Sequence, residues 1–163
     1  MTPWSRRSKL LSRLKGPAMS DIVTKDLIIA SGSATSKEEA IREAGNLLLK
    51  AGAVTAAYVE AMLERERSIT TYMGSYLAIP HGTNESKDAI KHSAVSLVRY
   101  ENPISWDGNE VRIVVGIAGV NNEHLAILSK VAIIFSDEIE ARKMLDATTV
   151  DELYQLLGDV NAD

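Results

Sequence analysis

The chain has 163 residues, 45% of them apolar and 25% charged, with a mean hydropathy of −0.04 and a formal net charge of −4. That composition fits one globular domain with a core of ordinary size and excludes collagen-like, disordered and multi-span membrane chains. Cysteine is absent, which excludes disulfides, thiolate-bound zinc, iron–sulfur clusters and a cysteine nucleophile within this chain.

Charge is uneven along the chain. Arg6, Arg7, Lys9, Arg13 and Lys15 precede the first acid, Asp21, and 13 basic and 22 acidic residues follow them. An acidic body argues against nucleic acid as a partner, because phosphate contacts need a basic surface. The expectation is a basic, disordered extension over residues 1–20, with Met19 as the natural start, and one domain over residues 21–160. With Trp4, Leu10, Leu11 and Leu14, the head also suits an anionic membrane surface, though not stable insertion. It is too short and too polar for a secretory segment, so the expected compartment is the cytoplasm.

In chain order, Leu27 to Ala30 is a short apolar run that predicts a first strand. Ser36-Lys37-Glu38-Glu39 is a capping box, and Ala40, Ile41, Ala44, Leu47, Leu48 and Ala51 follow at helical spacing to a stop at Gly52. A second helix is predicted from about Thr55, burying Tyr58, Val59, Met62 and Leu63 and exposing Glu60, Glu64 and Arg67. Tyr76 to Ile79 reads as a strand that ends at Pro80, and 93–99 and Val111 to Ala118 read as two more. Asn122 is expected to cap a long apolar helix reaching about Phe135, and Ser136 to open another. Thr149-Val150-Asp151-Glu152 is the capping box of the last helix, which ends at Gly158. Interleaved helices and strands make the class α/β (α+β), a mixed central sheet flanked by helices on both sides.

Three histidines can each be weighed. His81 follows a buried strand and a proline that fixes the chain, and Gly82 after it suggests a backbone conformation that a β-carbon forbids. This projects an imidazole from a rigid strand end, where it is either reactive or simply satisfied by backbone. His124 stands in the first turn of a helix after the loop Gly119-Val120-Asn121-Asn122, where free N–H groups and the helix dipole favour an anion. The ordinary alternative there is a surface histidine. His92, between Lys91 and Ser93, reads as surface. Neither His81 with Glu85 nor His124 with Glu123 has metal-ligand spacing, so no metal site is expected. Phosphate-binding glycine loops and the nucleophile elbow of serine hydrolases are absent too.

The segment from Glu66 to Gly82, ERSITTYMGSYLAIPHG, resembles the active-site signature of phosphotransferase-system enzyme IIA domains of the mannitol/fructose class. The residues that match are Glu66, Met73, Gly74, Leu77, Ala78, Ile79, Pro80, His81 and Gly82. GIAGVNNEHLAILSKVA resembles the second histidine region of that family, and the likeness covers about residues 22–158. The wording AIPHGT, NNEH and ATSKEEAIREAGNLL is closest to the mannitol branch.

The resemblance implies a mixed five-stranded sheet between helices and a relay that needs no cofactor or metal. His81 would accept a phosphoryl group from the histidine of the carrier protein HPr and pass it to a cysteine of a mannitol-specific enzyme IIB. His124 would hydrogen-bond the phosphoryl oxygens, and Arg65 would neutralise their charge. The residue chemistry agrees. A neutral imidazole is nucleophilic, and transfer through a loose transition state needs placement and positive charge more than covalent help. One departure is Ser75, where some members carry an acid after the signature glycine. Without a cysteine the chain is expected to be a free-standing A component, its IIB and IIC permease partners on other chains. The alternatives are a fructose-type component, a nitrogen-regulatory relative that acts by binding regulators, and a scaffold that transfers nothing.

A chain beginning at Met19 is expected to fold and to transfer phosphate like the full chain, with weaker binding to anionic vesicles. Chemical denaturation of both forms checks this: a loss of several kcal/mol on truncation would make the basic head structural instead.

Overall fold

A computed structural model describes residues 21–161. The basic extension expected over residues 1–20 lies outside the described residues. The chain forms β1 (Ile28–Ile29), α1 (Lys37–Lys50), α2 (Ala56–Ser68), β2 (Tyr72–Gly74), β3 (Leu77–Ala78), β4 (Ala94–Trp106) and β5 (Asn109–Ala118). Helices α3 (Glu123–Ser136), α4 (Glu138–Asp146) and α5 (Val150–Leu157) follow, and short 3-10 turns cover Lys25–Leu27, Asn84–Ala89 and Gly158–Asn161.

Both N-caps form, each glutamate accepting from the capping hydroxyl rather than from the N-cap N–H that a full capping box would use. Ser36 Oγ accepts from Glu39 N and Thr149 Oγ1 from Glu152 N, each at 3.2 Å, so both helices start where the sequence places them. Tyr58, Val59, Met62 and Leu63 are buried while Glu60, Glu64 and Arg67 are exposed, as helical spacing requires. Ser136 does not open a helix. It closes α3, donating to the Ile133 carbonyl, and Asp137 caps α4 by accepting from Ile139 N and Glu140 N. A carboxylate holds two N–H groups at a helix N-terminus better than a hydroxyl that also donates.

The five strands run in the order β1-β4-β5-β3-β2, parallel at β1/β4 and β3/β5 and antiparallel at β4/β5 and β2/β3. This is the expected mixed sheet. Residues of opposite parity on β4 meet helices on opposite faces. Ser96 Oγ donates to the Ala44 carbonyl and Tyr100 Oη to Glu43, both on α1. Arg99, buried on the other face, donates from Nε to the Leu145 carbonyl near the end of α4, where Arg112 Nη2 also reaches. Two guanidinium groups thus satisfy the carbonyl end of that helix. Between these layers lies one core, with Trp106, Ile113, Leu97 and Leu48 out of contact with water.

Three differences from the sequence reading have local causes. β4 continues beyond residue 99 to Trp106, because an irregularity between Arg99 and Ile104 lets it pass Pro103. It then turns tightly through Asp107 and Gly108, both at positive φ, into β5. Tyr76 is not in a strand, since Ser75 and Tyr76 are both left-handed and make the turn between β2 and β3.

The two ends of the described chain clasp each other. Val23 N–H donates to Asn161 Oδ1, and Asn161 Nδ2 donates back to the Val23 carbonyl, each at 3.0 Å. The junction between α2 and β2 is held by Glu66, which is only 4% exposed. One carboxylate oxygen accepts from Thr70 Oγ1 at 2.8 Å and Trp106 Nε1 at 2.7 Å. The other accepts from Thr71 N at 2.9 Å and Thr71 Oγ1 at 2.6 Å.

Glu66→Ala should therefore lower stability by about 3 kcal/mol, because it strands buried donors as well as deleting charge-assisted bonds. Glu66→Gln, which keeps the shape, should lose less. Denaturant midpoints of the two variants and the parent check the order; equal losses would mean that charge and donor matching are unimportant here.

Candidate functional site

β3 carries the chain through Ile79 and Pro80, all buried, to His81. The sheet ladder ends at that point: Ile117 N–H on β5 donates to the Pro80 carbonyl at 3.0 Å, and His81 pairs with Ile117 in a last isolated bridge. His81 is therefore held on strand geometry while its side chain faces outward beyond the sheet. The ring is half-buried, with Nδ1 2.9 Å from the Ile79 carbonyl. A carbonyl only accepts, so Nδ1 carries the proton and Nε2 keeps its lone pair. Burial pushes the His81 pKa below the ordinary histidine value. Arg65 and His124 push it the same way, against the Ile79 hydrogen bond and Glu66.

Gly82 has no left-handed φ, contrary to the sequence reading; its reason is space. A β-carbon there would stand 2.5 Å from Tyr58 Cε1 and 2.6 Å from Ser86 Oγ. The Tyr58 hydroxyl donates to the Ile117 carbonyl at 2.7 Å and accepts from Gly82 N–H at 2.9 Å. Burial pushes this phenol up to about 12, so it stays neutral.

β5 leads into the second histidine. At Gly119 a β-carbon would fall 2.3 Å from His124 N, so only glycine lets the strand end lie against the first turn of α3. Asn121 and Asn122 follow in the left-handed region that asparagine tolerates. Asn122 occupies the N-cap position, but its side chain makes no capping hydrogen bond. The turn is held instead by Ser93, whose Oγ accepts from Val120 N at 3.0 Å and donates to the Glu123 carboxylate. His124 is half-buried in that turn. Arg65, in the last turn of α2, donates from Nη1 to the Ile69 carbonyl at 2.6 Å rather than to a carboxylate.

His81, His124 and Arg65 come together in one cleft of about 360 Å³. Tyr58, Ser68, Gly82, Thr83, Asn84, Glu85, Lys87, Ile90 and Gly119 complete its lining. His92 is exposed outside it, and Ser75 stands on the exposed turn between β2 and β3, also outside it. Lys87 and Tyr58 belong to the cleft but escaped the sequence reading, Tyr58 because helical spacing marks it simply as core. The arrangement offers a neutral ring nitrogen, a guanidinium, an ammonium, a second imidazole and a helix N-terminus, which suits a tetrahedral anion. Among the described residues no group of histidines and acids is placed to hold a metal ion, and no helix is long and apolar enough to cross a membrane.

Residues 21–160 match the family model for the phosphoenolpyruvate-dependent sugar phosphotransferase system, EIIA 2. The mannitol-specific phosphotransferase enzyme IIA component of Halalkalibacterium halodurans is 48% identical over 140 residues, covering 86% of this chain and 97% of that protein. The crystal structure of IIA mannitol from Escherichia coli superposes with a TM-score of 0.76 at 37% identity, over 83% of this chain and 98% of that one. The Escherichia coli complex of enzyme IIA mannitol with phosphorylated enzyme IIB mannitol gives a TM-score of 0.78 at 36% identity, over 83% and 96% of the two chains.

In an NMR titration His81 is expected to titrate below 6.5, and Arg65→Gln to move its midpoint upward. Because the unfolded chain takes this proton first, the group's contribution to stability is complete above the unfolded value. It fades as pH falls toward the folded one. A parent midpoint above 6.5 would reverse the sign.

Proposed function

The chain belongs to the EIIA 2 family of the sugar phosphotransferase system, and on that premise we propose that it carries phosphoryl groups for mannitol uptake on Nε2 of His81. The observation that supports this most is the 2.9 Å approach of Nδ1 to the Ile79 carbonyl, an acceptor that calls for the proton on Nδ1 and leaves the Nε2 lone pair ready beside Arg65 and His124. No base is needed to deprotonate the nucleophile. As Nε2 attacks phosphorus, the N–P bond of phosphorylated HPr breaks and its electron pair returns to the donor imidazole. The new phosphoimidazole keeps its Nδ1–H on the Ile79 carbonyl, which stabilises the positive charge the ring acquires.

Arg65 releases or shares the Ile69 carbonyl to meet the phosphoryl oxygens, and His124 and the first turn of α3 donate to them. In the second transfer a cysteine thiolate of enzyme IIB attacks, an S–P bond forms and the N–P bond to His81 breaks, with neutral imidazole as the leaving group. The mannitol assignment draws on the 48% identity and on the Escherichia coli complex, in which the partner is enzyme IIB mannitol. The reading puts the protein in the cytoplasm, meeting the membrane permease through enzyme IIB on another chain.

The test starts from purified phosphorylated HPr, with mannitol and fructose enzyme IIB as parallel acceptors. His81→Ala should take no label. His124→Ala should take it on the order of ten to a hundred times more slowly. Transfer should proceed in excess EDTA, and the product should be lost in acid and survive alkali. Label persisting on His81→Ala, or transfer that a chelator stops, would remove His81 from the centre of the reaction.

A further inference from the structure

Two separate backbone segments carry the two histidines. One is the end of β3 through Pro80 to Gly82, with His81 in it. The other is the end of β5 at Ile117 and Ala118, which leads through Gly119 to His124. Their side chains share a cleft; the backbone joins the segments from Ile117 N–H to Pro80 C=O, and among the described residues the one side-chain link between them passes through one oxygen. The Tyr58 hydroxyl gives its only proton to Ile117 C=O and takes Gly82 N–H on a lone pair. We infer that Tyr58 is a positioning residue for phosphoryl transfer, its hydroxyl fixing where His81 stands relative to the strand end that presents His124.

The inference rests on His81 as the phosphorylated residue, and three features of the structure carry it. Tyr58 is itself fixed: it is 3% exposed on a helix whose neighbouring residues Val59 and Met62 are core. The ring is matched to its partner, since any β-carbon at Gly82 would overlap Cε1, so the tyrosine and the glycine occupy complementary space. Finally, the loop around His81 is closed on both sides. Nδ1 is bound to Ile79 C=O before the ring, and Gly82 N–H is bound to Tyr58 after it. Phenylalanine fills the same volume but leaves Ile117 C=O and Gly82 N–H without this partner. Loosened at Gly82, the His81 backbone can shift, and the Nδ1–H bond to Ile79 then competes with the other tautomer.

The experiment compares the full chain with Tyr58→Phe. With saturating phosphorylated HPr, the variant should transfer on the order of tenfold more slowly per folded molecule, with the KM for the donor within about twofold. The ring nitrogens of His81 should shift from one tautomer towards a mixture, a change that mere loss of stability does not produce. A parent-like rate per folded molecule, or unchanged ring nitrogens, overturns the inference. Should the variant not fold, the parent decides: a Gly82 amide that exchanges freely with solvent also overturns it, and a protected one upholds it. If the parent takes no phosphate from HPr, the relay reading fails and the role in transfer with it; ring nitrogens that Tyr58→Phe still moves would then show only that the hydroxyl holds the His81 ring.

Discussion

A carboxylate almost removed from water has to be satisfied on every side, and in this fold that requirement falls on Glu66. Its donors come from the chain just after α2, at Thr70 and Thr71, and from Trp106 at the far end of β4. The helix end, the edge hairpin and the long central hairpin are thereby gathered on one anion. Neighbouring residues on a helix point about 100° apart, so an inward Glu66 leaves Arg65 turned towards the cleft. The same junction sets where β2 begins, and β2 pairs with β3, the strand that delivers His81. The position of His81 thus follows in part from satisfying a charge that does not itself line the cleft.

The long helices were legible in the sequence because their information is local. Ser36 with Glu39 and Thr149 with Glu152 are three residues apart, and the apolar faces of α1 and α2 repeat within a few turns. β2 was not legible, being three residues at the sheet edge with no buried side chain, and its pairing with β3 is all that defines it. The reach of β4 past Pro103 depends on the partner strand, to which nothing near the proline points. At the site, the family motif picked out His81, His124 and Arg65, and the fold draws all three into one cleft. Spacing could mark Tyr58 as buried, but its bonds reach residues 24 and 59 positions away, and such separations leave no local trace.

A phosphoryl carrier faces opposite demands, since it must accept the group readily and still give it up. Strong neutralisation would favour the phosphorylated form and slow the second step, so a uniform gain in binding brings no gain in passage. The cations in this cleft are few, Arg65 and Lys87, and Glu85 lies with them. Placement carries the remaining burden, through a fixed tautomer, a strand-held backbone and a helix terminus set close by a glycine. Such a site works as a platform rather than a trap.

The clasp between Val23 and Asn161 bears on how such a unit is joined to others. Two reciprocal hydrogen bonds bring the first and last parts of the described body to one place, so a tether at either end would depart from nearly the same point. For partners strung on a common polypeptide, the local concentration of one at the cleft of another depends on linker length and stiffness. With both ends together, that concentration hardly depends on the order in which the units are strung. Gene fusion and fission can then rearrange a relay of this kind without altering the distance over which its members find each other.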